Sequence, residues 1–157
     1  MTLAAYMQEQ TAARLRKLAY ELRNARQSMD EERVHDLRVA TRRLMETLRV
    51  IKGVLPEEGV DAVLADLRKV MNAAGEVRSC DIAAELLRQA GALDISPLLT
   101  ELAARRVLAE RTLFERAHDA YRRNATQKWR SALLPTRLPT KLPAKALPVK
   151  PPAKAQP

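Results

Sequence analysis

Val34-His35-Asp36-Leu37-Arg38-Val39-Ala40-Thr41-Arg42-Arg43-Leu44-Met45-Glu46-Thr47-Leu48-Arg49-Val50-Ile51-Lys52 is the stretch whose reading decides the fold. Wound as a helix, it places His35, Arg38, Arg42, Arg49 and Lys52 along one stripe, at offsets of 3, 7, 14 and 17 from the histidine. Leu37, Leu44, Leu48 and Ile51 fall on the opposite side, the pattern of a helix with one face in a core. Arg38 and Arg42 stand four apart, where like charges repel by about 0.2–0.5 kcal/mol. An anionic partner would offset that repulsion, and Glu46 can offset part of it by pairing with Arg42, Arg43 or Arg49.

The charge of the whole chain points the same way. The 157 residues carry a formal net charge of +9. The last 23 residues, from Pro135, hold Arg137, Lys141, Lys145, Lys150 and Lys154 and no acid. Residues 33–52 hold six basic and two acidic side chains, and the rest of residues 1–134 balances. Positive charge gathered in one helix and one tail suits a phosphate-bearing polymer or an anionic surface. Aromatic residues are scarce and none lies in the basic helix, whereas single-stranded nucleic acid is usually held by base stacking. A ligand made of phosphate alone fits better.

The segments around this helix also read as helices, rich in Ala, Leu, Arg and Glu. The first is expected at about 3–26, with Leu15, Leu18 and Leu22 inward. Asp30 caps the second, at about 31–52. Gly53, Pro56 and Gly59 form a turn, a third helix spans about 60–73, Gly75 interrupts, a fourth covers about 77–90, and Gly91 closes it. Ser96 and Pro97 start the last, which runs to about Trp129 on Leu98, Leu99, Leu102, Val107, Leu108, Leu113 and Phe114. The fold class is all-α: an antiparallel bundle of four to five helices over residues 1–133. Residues 134–157 repeat Leu-Pro-x-cation units and are expected to be a disordered basic tail, since proline at that density excludes helix and sheet. One cysteine permits no disulfide within the chain. No signal peptide or membrane span is legible, so the expectation is a soluble, cytoplasmic protein.

The segment His35-Asp36-Leu37-Arg38-Val39-Ala40-Thr41-Arg42-Arg43-Leu44 resembles the signature of the CHAD family, the conserved histidine α-helical domain. Ala74-Gly75-Glu76-Val77-Arg78-Ser79-Cys80-Asp81-Ile82 resembles that family's later Gly-x-x-Arg-Asp-x-Asp-Val element. The resemblance spans roughly residues 3–130. It implies an all-helical domain that binds inorganic polyphosphate through basic residues, often near polyphosphate granules. The family's histidine maps to His35, its helix arginines to Arg38, Arg42 and Arg43, and its later pair to Arg78 and Asp81. Arg49 and Lys52 join the expected polyphosphate-binding set from the stripe. Met45 stands where the family commonly has a basic residue, and Ser79 where it has an acid. Family members usually pair two similar bundles across a basic cavity; this chain has room for one, so a homodimer with facing stripes is expected.

Other chemistries find less support. Zinc would need three or four ligands, and His35, Cys80 and His118 are not clustered, so no metal and no cofactor are expected. No Gly-rich phosphate loop, nucleophile elbow or carboxylate cluster supports an enzyme. The alternative reading is a nucleic-acid binder with a histone-like tail. Arg78 and Asp81, three apart, read as a mutual structural pair, Arg105, Arg106, Arg122 and Arg123 as solvated, and Cys80 as a small buried hydrophobe.

Overall fold

The computed structural model describes residues 3–55 and 57–134 of the chain. Among these residues it holds five helices and no strand. They are α1 (Leu3–Ala25), α2 (Glu31–Val50), α3 (Glu57–Gln89), α4 (Pro97–Arg122) and α5 (Ala125–Leu133). Successive helices pack on one another, α4 returns to α1, and α5 folds back against α1, α3 and α4. The expectations for Pro56 and for the tail beyond Leu134 fall outside the described residues. No helix among the described residues is long and apolar enough to cross a membrane.

The core follows the helical period. Leu15, Leu18 and Leu22 from α1 meet Val34, Leu37, Leu44 and Leu48 from α2 and Val60, Val63, Leu67, Val70 and Val77 from α3. Asp30 caps α2: its carboxylate accepts from the Arg33 N–H at 2.9 Å. Those bonds, first the one from Arg33 and then one from the Ser28 hydroxyl, hold the Asp30 carboxyl below its usual pKa of 3.8. Pro97 opens α4, where its missing N–H costs nothing, but Ser96 makes no side-chain cap bond.

Two glycines expected to punctuate the chain do the opposite. Gly59 and Gly75 both lie inside α3, which runs unbroken for 33 residues. Both mark close approaches. A Cβ at Gly59 would stand 2.8 Å from the carbonyl oxygen of Ala132 in α5, and one at Gly75 would stand 3.1 Å from Nη1 of Arg38. The propensity cost of a helical glycine, about 1 kcal/mol, is met here by tertiary packing.

The last helix, expected to be continuous to Trp129, is instead divided. Asn124 takes φ 51° and ψ 39°, a left-handed conformation that asparagine tolerates better than most residues. The chain turns there, and α5 drops Trp129 and Leu133 into the core. The Trp129 indole donates to Asp66 at 3.3 Å. Of the α4 apolar set, Leu99 and Leu113 are buried, whereas Leu98, Val107, Leu108 and Phe114 are exposed.

Candidate functional site

Helix α2 lies between α1 and α3, and this divides its basic stripe. The flank toward α3 carries Arg38, Met45 and Lys52. Arg38 is half-buried, with its guanidinium over Gly75. Met45 is 5% exposed and belongs to the core, so a cation there would be buried. Lys52, just beyond the end of α2, donates to both carboxylate oxygens of Asp61 at 2.8 and 2.9 Å. The hydrogen bond that Lys52 donates to Asp61 raises the Lys52 pKa above 10.5, against the opposing effect of desolvation.

The flank toward α1 opens into a groove of about 780 Å³. It is lined by His35, Asp36, Val39, Arg42 and Arg43 from α2 and by Arg14 and Lys17 from α1. A shallower trough of about 370 Å³ extends it past Arg14, Arg43 and Glu46 to Tyr6 and Val50. From Asp36 to Val50 the two together run about 21 Å along α2. Arg42 faces Glu46 loosely, at 3.8 Å. Arg14 and Arg43 make no ion pair among the described residues. The Lys17 amine lies 2.5 Å from the buried carboxylate of Glu21. Hydrogen bonding to Glu21, and then its charge, raise the Lys17 pKa above 10.5, so the amine stays charged at neutral pH.

His35, Arg42 and Arg43 are thus brought together, while Arg38 and Lys52 sit on the other flank. Arg49 is exposed further along α2 and lines neither part of the trough. Arg78 lies on α3, where it pairs with the Glu31 carboxylate at the start of α2. Arg14 and Lys17 were missed by sequence reasoning. Their signal was present: Gln10, Arg14 and Lys17 share one face of α1 at spacings of four and three, bordering the face of Leu15, Leu18 and Leu22.

Three expectations are corrected. Asp81 does not pair with Arg78; its Oδ1 accepts from Nε of Arg106 at 2.6 Å. Arg106 is accordingly not a solvated side chain. Its Nη1 donates to Glu110 at 2.6 Å and its Nη2 to the Met29 carbonyl at 2.8 Å, tying α4 to α3 and to the α1–α2 loop. On α3 the two stand about 60° apart around the helix, yet Asp81 reaches toward α4 and Arg78 toward α2. Cys80 is not buried but half-exposed in the cleft between α3 and α4.

The groove presents guanidinium forks and an amine from two helices to a single open channel. Arginine donates two parallel hydrogen bonds to a phosphate and keeps its charge at any relevant pH. A chain of phosphates needs such donors in series, and two helices lying side by side supply them at three- and four-residue intervals. No group of three or more His, Cys, Asp or Glu side chains that could hold a metal occurs among the described residues.

No curated protein and no solved structure matches the chain significantly. A family model described as CHAD domain matches residues 9–156, nearly the whole length. By that match, together with its five-helix architecture, the chain belongs to the CHAD domain family.

Proposed function

We propose that this chain is a binding module for inorganic polyphosphate, held in the α1–α2 trough. The family is associated with polyphosphate binding in general. The observation that carries the reading here is the convergence of Arg42, Arg43 and His35 from α2 with Arg14 and Lys17 from α1 on one open groove. Arg14 and Arg43 act as the main phosphate contacts, because neither is engaged in an ion pair among the described residues. Arg42 exchanges its loose contact with Glu46 for a phosphate oxygen. Arg38 and Arg49, elsewhere on α2, add to the positive field that draws a polyanion in, whereas Lys52 and Arg78 are each paired with a carboxylate. His35 donates an imidazole N–H to a phosphate oxygen. Asp36 and Glu46 temper the affinity.

A titration with long-chain polyphosphate at several salt concentrations tests this. By analogy with polynucleotides, each phosphate neutralised adds roughly 0.7–0.9 to the negative slope of log K against log salt. Replacing Arg14 and Arg43 by Ala is expected to weaken binding and flatten the slope by roughly 1.4–1.8, with the helical circular dichroism spectrum unchanged. Unchanged affinity in that double variant overturns the trough as the site. Competition by duplex DNA of equal phosphate concentration, displacing polyphosphate completely, would favour the nucleic-acid reading.

A further inference from the structure

Beyond the part packed with α1, α2 and α5, α3 and α4 continue as a two-helix hairpin. Buried α3 residues end at Val77 although the helix runs on to Gln89, and α4 has no buried residue between Leu99 and Leu113. One face of this hairpin is a cleft of about 540 Å³ floored by small side chains, Ala73, Ser79, Cys80, Ala83 and Ala109, with Leu102 and Leu108 along α4. Leu108 is 67% exposed, and Leu86 and Leu98 nearby are likewise exposed.

The hairpin differs from the trough in charge as well as in polarity. Its arginines are engaged within it: Arg88 with Asp94, Arg105 with Glu101, Arg106 with Asp81 and Glu110, and Arg111 with Glu115. A second copy approaching the trough would meet unpaired cations; approaching the hairpin, it meets a neutralised apolar surface. An anionic ligand or membrane finds nothing there to bind.

The cleft's two charged liners, Glu76 on α3 and Arg105 on α4, are of opposite sign. They also lie at different levels. The Arg106–Asp81 bond sets residue 106 level with residue 81, so Arg105 stands about 9 Å nearer the hairpin tip than Glu76. A two-fold axis crossing the cleft reverses its direction, and brings Glu76 of one copy toward Arg105 of the other, twice over. Arg105 must leave Glu101, a surface partner four residues away on the same helix, and such exposed pairs exchange at little cost.

We propose that the chain forms a two-fold homodimer through this α3–α4 cleft, with the α1–α2 troughs left open and outside the interface. The arrangement is isologous: each copy lends the same apolar strip and receives the other's. It does not rest on the identity of the ligand bound in the trough.

Light scattering on the full chain across micromolar concentrations tests the proposal. The expected species has twice the monomer mass of 17.6 kDa. Leu108→Glu, at an exposed position, is expected to raise the dissociation constant at least about thirtyfold while the circular dichroism spectrum stays helical. Glu76→Arg and Arg105→Glu are each expected to weaken the dimer about tenfold, and together to restore most of it. A species of 17.6 kDa at every concentration, or a dimer that survives Leu108→Glu, overturns the proposal. Single reversals that weaken the dimer without rescue by the double overturn the two-fold arrangement. The Leu108→Glu monomer is expected to keep its polyphosphate affinity per chain, so the interface and the trough are read separately.

Discussion

Nη1 of Arg38 lies 3.1 Å from the point where a side chain at Gly75 would begin. The two residues belong to the two sequence elements that carry the family resemblance, and their contact joins α2 to α3. The glycine in the second element is therefore the seat of an arginine in the first. That explains a glycine in the middle of a 33-residue helix better than any turn does.

Gly75→Ala separates the two roles. Alanine gains about 0.5–1 kcal/mol of helix propensity, and the guanidinium, at the end of a flexible side chain, can yield by the few tenths of an ångström required. The variant is expected to melt higher than the parent and to keep nearly the same polyphosphate affinity, because Arg38 lies on the α3 flank and not in the trough. Differential scanning calorimetry and the polyphosphate titration check the two halves.

Gly59→Ala is expected to do the opposite. Its Cβ would stand 2.8 Å from a backbone oxygen of α5, which cannot swing aside as a side chain can. Overpacking of this kind costs about 1–3 kcal/mol, more than the propensity gain. Trp129 is the only tryptophan, so a red shift of its fluorescence reports α5 lifting from Asp66 and the core.

Arg106→Ala is expected to lower stability by about 2–4 kcal/mol. Removing one partner of a buried pair leaves the other's charge uncompensated. The side chain of Asp81 is 9% exposed, whereas that of Arg106 is 26% exposed, which moderates the loss. Asp81→Ala on the Arg106→Ala background should cost less than on the parent, and a double-mutant cycle by urea denaturation measures the difference.

Asp30→Asn tests the cap of α2 by pH. The folded pKa of Asp30 is depressed below 3.8, so the stability its charge contributes is present above that value and lost as pH falls through the folded pKa. Asparagine still caps but does not titrate. The stability difference between parent and variant is expected to be constant near neutrality and to vanish in the acid limb of a pH series followed by thermal melting.

Lys52→Ala is expected to change polyphosphate affinity less than Arg14→Ala, although the sequence stripe includes the lysine and omits the arginine. Lys52 is engaged by Asp61, while Arg14 lines both parts of the trough. Parallel titrations at low salt rank the two.

The helical class, the inner faces of α1 and α2 and the Asp30 cap were legible in the sequence, because each depends on a period of 3.6 residues or on neighbours three positions away. His35 and Arg42 were legible for the same reason, as one stripe of one helix, and Arg43 through the family signature. What only the tertiary structure decided depends on residues distant in sequence. Gly59 and Gly75 read as breaks because local propensity is all a sequence shows, whereas their use is to admit Ala132 and Arg38. Arg78 and Asp81 read as a pair at three-residue spacing, yet each found a better-placed partner on another helix, Glu31 and Arg106. The single stripe on α2 became two flanks because α1 and α3 pack on either side of it. Helical periodicity determines which side chains share a face; only the packing of neighbouring helices decides which part of that face meets solvent, and which cations from elsewhere meet it there.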